Sequence, residues 1–136
     1  MMKLKIRSLA VPLAVANLAF LALHQLDAVY WKEWQMIGGA MNYQAFLFIT
    51  FLLCVPGIFY ISKLTQGKRS GFVYSLIWSL IGFVVPIFHS YFFFIADVQV
   101  RAPLSIFLIY AVGLLSLPLF MLSVDGFKNT VEEKAK

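Results

Sequence analysis

Four apolar runs, near residues 8–29, 44–62, 71–95 and 103–124, fill most of this chain. Each reaches the roughly 18 to 20 residues that an α-helix needs to cross about 30 Å of hydrocarbon. The bilayer core offers no water to backbone N–H and C=O groups, so runs of this kind satisfy their hydrogen bonds internally, as helices. Their unbroken apolarity excludes barrel strands, whose side chains alternate between lipid and lumen. The sequence therefore predicts an all-α fold: a polytopic four-helix transmembrane bundle forming one domain over residues 1–136. Composition agrees, since 62% of residues are hydrophobic and 12% charged, where soluble domains carry about 25% charged residues.

Little of the chain is left outside the bilayer. The connections near 30–43, 63–70 and 96–102 are too short for a soluble domain, and the stretch 125–136 reads as a charged coil or frayed helix. The start, "MMKLKIRSLAVPLAVANLAF", has the basic opening of a secretory signal, with Ala14-Val15-Ala16 as its small-x-small site. The apolar run before that site is short and continues to Leu23, so it is read as an uncleaved first span. Cys54 is the one cysteine and lies mid-span, which excludes an intramolecular disulfide and leaves packing as its role.

The basic residues predict an orientation. Lys3, Lys5 and Arg7 precede the first span, Lys63, Lys68 and Arg69 separate the second from the third, and Lys128, Lys134 and Lys136 follow the fourth. Of the eleven lysines and arginines, only Lys32 and Arg101 fall on the other side. Short positive loops stay cytoplasmic, so both termini are expected inside, in a multi-pass protein of a cell inner membrane. The net charge of +5 is then a topology signal and a contact for anionic membrane lipids, with no nucleic acid needed to explain it.

The same orientation puts the two histidines in one layer. His24 lies about 24 Å along its helix from Ser8, and His89 about 27 Å from Gly71, at about 1.5 Å per residue. Asp27, Glu33, Tyr43, Gln44 and Asp97 fall at or just beyond that external face, while the cytoplasmic half is almost wholly apolar. His24 and Asp27, three residues apart, project to one side of a helix, so the carboxylate is placed to hold an imidazole nitrogen. Glu33 points to the opposite side of a straight helix and joins the group only if the helix ends or bends near residues 30–32.

Several readings of this group stay open. His24, Asp27, Glu33 and His89 form a candidate metal set of the kind that holds a divalent transition ion such as zinc or iron. In an enzyme, with or without metal, His24, Asp27 and His89 are candidate catalytic residues, with Asp27 orienting His24 and His89 as second ligand or general base. In the bland alternative they are interfacial groups, with Glu33 paired to Lys32 or Arg101 on the surface, because the cost of an ionisable group falls sharply near the interface. Phe88, Tyr91, Phe92, Phe93 and Phe94, with Tyr30, Trp31, Trp34 and Tyr43, read as an interfacial aromatic belt. Pro86 frees the carbonyl of Gly82, a kink signal below His89. Gly71, Ser75 and Ser79 make a small-residue stripe that lets another helix approach closely, inside the chain or in a homo-oligomer or membrane partner. Phosphate-binding glycine loops, nucleophile elbows and Cys-x-x-Cys or His-Glu-x-x-His motifs are absent from the sequence.

The stretch "HQLDAVYWKEW", with His24, Asp27, Glu33 and Trp34, resembles the HXXEE-type membrane domains: small bacterial four-helix proteins with a His-x-x-acid motif at the outer end of helix one. The chain has Asp27-Ala28 where that motif has Glu-Glu. The resemblance implies a bacterial inner membrane and a shared polar site, and it supplies no reaction. Two function classes therefore remain: a ligand- or partner-binding module or transport subunit, and a membrane-embedded, metal-dependent enzyme acting on a lipid or other apolar substrate.

Overall fold

The computed structural model describes residues 2–37, 41–94 and 102–132. The chain forms helix α1 (Met2–Tyr30), a 3-10 segment (Glu33–Ile37), and helices α2 (Tyr43–Thr65), α3 (Arg69–Phe94) and α4 (Pro103–Glu132). All four helices are long and apolar enough to cross a membrane, and no strand occurs among the described residues. This is a multi-pass membrane protein. Its surface says the same: Leu26, Ile58, Phe59, Ile87, Phe94 and Leu114 are exposed, whereas Asn17, Ser75, Ser79, Ser116 and Ser123 are buried. That inside-out pattern suits a bundle solvated by lipid, where helices meet through small and polar side chains.

Local chemistry marks the helix ends. Asn42 caps α2, its Oδ1 accepting from the N–H of Ala45 at 2.8 Å. The α2–α3 turn closes on Gly67, at φ 64°, where the N–H of Gly67 donates to the Leu64 carbonyl and that of Lys68 to the Lys63 carbonyl. Gly71 then presses on the backbone of Lys63 and Leu64, so closely that an added Cβ would sit 2.6 Å from the Leu64 Cα. Pro103 opens α4 at the first helical position, where its missing N–H costs nothing.

The stretch after Asp125, expected as coil or frayed helix, is helical through Glu132. Packing explains the difference. Gly126 lies under the Phe72 ring, the Arg69 guanidinium sits 4.6 Å over the Phe127 ring, and Thr130 is buried. The last turns of α4 are thus held by the start of α3.

Consecutive helices run antiparallel. Asn17 of α1 meets Val112 and Ser116 of α4, while Phe20 meets Phe107 further along. On α3, Ser75 faces Ser123, Gly82 faces Ser116, Pro86 faces Gly113, and Ser90 faces Tyr110. On α2, Thr50 meets Gln25, Gly57 meets Leu18, and Tyr60 meets Ala14 and Trp78. The stripe Gly71, Ser75 and Ser79 is consumed inside the chain: all three are buried, Gly71 against α2 and Ser75 bonded to Ser123 at 2.7 Å.

Helix α2 packs unevenly, and this positions the site. Its buried residues, Gly57, Tyr60 and Leu64, all lie in its second half. Gly57 sets the close approach, since an added Cβ would meet Leu18 and the Trp78 indole. The first half of α2 stands off from α1 and α3 and leaves a cavity at the end of the bundle where α1 finishes.

Candidate functional site

Helix α1 stops abruptly at Tyr30. The N–H of Trp31 donates to the Asp27 carbonyl at 3.0 Å and that of Lys32 to the Val29 carbonyl at 3.2 Å, with Lys32 in the left-handed region at φ 55°. This is a helix-ending turn that glycine usually fills. The Lys32 carbonyl then accepts from Gln35 at 2.9 Å, starting the 3-10 segment. The reversal carries Glu33 back over the end of α1, meeting the condition under which Glu33 joins the histidines.

Glu33, His24 and His89 meet there, all buried. The rings of His24 and His89 pack edge to face with centroids 4.8 Å apart, across the diagonal of the bundle. His89 Nε2 lies 2.8 Å from Glu33 Oε2, and His89 Nδ1 lies 2.8 Å from the carbonyl of Val85 one turn earlier. A carbonyl only accepts, so Nδ1 carries a proton and donates. Nε2 and Glu33 therefore share one further proton, on the ring or on the carboxyl. One donor atom from each of His24, Glu33 and His89 lies within 4.8 Å of the others.

Two polar atoms of this group have no hydrogen-bond partner although buried: His24 Nδ1 and Glu33 Oε1. An unpartnered buried polar atom costs about 1 to 3 kcal/mol, and here both belong to residues that line one space. That space is a cavity of about 270 Å³. Its floor is His24, Glu33 and His89, and its walls are apolar, chiefly Phe46, Ile49 and Leu53 of α2 and Val84, Val85 and Phe88 of α3.

Asp27 stands apart from the donor set. It makes no hydrogen bond to His24, its Oδ2 is buried without a partner, and the carboxylate that reaches an imidazole is Glu33. The i to i+3 spacing brings Asp27 to the same side of α1 as His24, but the ring packs on His89 instead. The surface pairing of Glu33 with Lys32 is also overturned, because Glu33 is 7% exposed and bonded to His89. Asp97 and Arg101 lie outside the described residues.

The sequence reading missed Gln25 and the placement of Trp34. Gln25 is buried and its side-chain amide meets the Thr50 hydroxyl at 3.0 Å, tying α1 to α2 at the cavity edge. Trp34 lines the cavity and packs on Tyr43 and Phe46. An uncharged amide beside a histidine inside an apolar run was the available signal for Gln25. The exposed aromatics Tyr30, Trp31, Tyr43, Tyr91 and Phe94 ring this end of the bundle.

Residues 11–125 match a family of unknown function, DUF6713, over most of the chain and across the whole of this site. The chain belongs to that family. No curated protein and no solved structure matches it.

Proposed function

We propose that this protein is a ligand-binding membrane module in which His24, Glu33 and His89 hold a divalent transition metal, zinc or iron. Two imidazoles and one carboxylate are a donor set suited to either ion, and three protein ligands leave at least one coordination position for a ligand. The single observation that carries the reading is the convergence of those three donor residues, two of which each hold a buried, unpartnered polar atom. The Val85 carbonyl supports it too: by accepting from Nδ1 it leaves His89 Nε2 as the ligating atom. Asp27 adds negative charge near the site and is not assigned as a ligand.

A second reading rests on the 2.8 Å contact between His89 and Glu33. Two ligands on one tetrahedral zinc stand about 3.3 Å apart, so metal entry displaces the shared proton and widens the pair by about half an ångström. Left as it is, the pair is a buried proton donor and acceptor facing an apolar cavity, suited to an enzyme acting on a lipid or other apolar substrate.

Metal analysis of protein purified without chelator separates the two. About one ion per chain is expected, lost in His24→Ala and His89→Ala. A folded protein that carries no metal and takes up neither zinc nor iron on dialysis sinks the first reading and leaves the second.

The site is assigned to the external face of a bacterial inner membrane, with both termini cytoplasmic. Support comes from the distribution of basic residues and from the likeness of "HQLDAVYWKEW" to the HXXEE-type motif. A fluorescent reporter fused at the C-terminus is expected to mature in the cytoplasm; a reporter active only outside reverses the assignment. A role as a transport subunit is subordinate, because a transport path needs a second copy or another membrane protein.

A further inference from the structure

The cavity over the site is closed on one side and open on the other. Between α1 and α2 it is shut by the contact of Gln25 with Thr50, and at the end of the bundle by Trp34 packed on Tyr43 and Phe46. Along α3, by contrast, the lining residues Val84 and Phe88 are 59% and 37% exposed. The mouth therefore lies between α2 and α3 and faces sideways, at a depth where the surrounding medium is lipid.

A chain that leaves the bilayer for this cavity exchanges one hydrocarbon environment for another, so the apolar walls confer shape and little affinity. Affinity has to come from the floor. His24 and Glu33 line it, 2% and 7% exposed, and each carries a buried atom without a partner, His24 Nδ1 and Glu33 Oε1. An alcohol, or a carboxylic acid in its protonated form, answers both: its O–H donates to Glu33 Oε1 while its oxygen accepts from His24 when Nδ1 carries the proton. The volume of about 270 Å³ lies just below the range of about 300 to 1,000 Å³ typical of small-ligand sites. It suits one chain segment better than a two-chain phospholipid.

We infer that this cavity takes a single-chain, oxygen-headed lipid, a fatty acid or a fatty alcohol, which enters sideways between α2 and α3 and sets its head on His24 and Glu33. The inference deepens the ligand-binding role proposed above and rests on that role, not on the ion, which would draw on the same His24 and Glu33. Trp34, on the cavity wall, is the reporter.

In detergent-solubilised full-length protein carrying Trp31→Phe and Trp78→Phe, Trp34 fluorescence is titrated with a mid-chain-brominated fatty acid, the matching alcohol and a brominated diacyl phospholipid. Saturable quenching by the acid or the alcohol is expected, reversed by the unbrominated chain and weakened about tenfold or more by Leu53→Phe, which fills the wall. The head that saturates at the lower concentration identifies the ligand. Quenching that never saturates, or that is equal for all three probes, overturns the inference and leaves a lipid-facing crevice. Should the double variant not fold, native mass spectrometry of the wild-type chain replaces it, one retained acid or alcohol supporting and none overturning. Running the titration with and without chelator keeps the two proposals apart: saturable binding to a protein without metal sinks the ion alone, and stoichiometric metal without saturable binding sinks the lipid alone.

Discussion

His89 Nε2 and Glu33 Oε2 lie 2.8 Å apart although one residue sits near the end of α3 and the other follows the end of α1. The other nitrogen of the ring donates to the Val85 carbonyl, so Nε2 and Glu33 share a single further proton. Glu33→Gln is expected to keep this contact, with the amide N–H donating to Nε2, and to change stability by about 1 kcal/mol or less. Glu33→Ala and His89→Ala each leave a buried polar group alone and are expected to cost about 3 kcal/mol or more. Unfolding in detergent followed by circular dichroism measures both. A Gln variant as damaged as the Ala variant means that the contact is not the hydrogen bond described here.

Because the same Gln substitution removes a charged ligand, it separates metal from folding. Glu33→Gln protein is expected to unfold cooperatively while holding clearly less zinc than wild type at equal free ion. Chelator treatment of the wild type is expected to lower stability by about 2.7 kcal/mol relative to protein held at about 100 times the dissociation constant. An unchanged unfolding midpoint with and without chelator counts against a resident ion.

Lys32 adopts φ 55°, where a Cβ is unfavourable and glycine is not. Lys32→Gly is therefore expected to stabilise the turn by about 1 kcal/mol, and Lys32→Val to destabilise it by about 1 to 2 kcal/mol. The Val variant should also lose metal, since the turn is what brings Glu33 to His89. Stability and metal content measured together test this, and a Val variant indistinguishable from wild type sinks it.

At the α3–α4 contact, a Cβ on Gly82 runs into the Ser116 hydroxyl and approaches Val112 to 3.3 Å. Gly82→Ala is expected to destabilise by about 1 to 3 kcal/mol. Ser116→Gly removes the obstructing hydroxyl, so the double variant should recover part of the loss. A double-mutant cycle gives the coupling energy, and additive effects show that the helices do not approach this closely in the membrane.

How much of this was visible beforehand differs from residue to residue. The four spans were legible because a run of about 20 apolar residues has few alternatives in a bilayer, and the α4 start at Pro103 carries local chemistry; the Asn42 cap of α2 was not read from the sequence. The equal depth of His24 and His89 was legible from helix rise. The extension of α4 to Glu132 was not, because it depends on Phe72 and Arg69 of another helix. Nor was the choice of carboxylate: spacing favoured Asp27, while the turn at Lys32 delivered Glu33.

Hydrophobicity along the chain was by itself enough to determine helices, their number and their burial in lipid, because each span must satisfy its own backbone there. Which side chains meet was decided only by tertiary structure. The rotation of α1 against α3, the standing-off of α2 beyond Gly57 and the left-handed turn at Lys32 together assemble the His24, Glu33 and His89 site and its cavity. Those depend on contacts between residues far apart in the chain, about which the periodicity of any one segment carries no information.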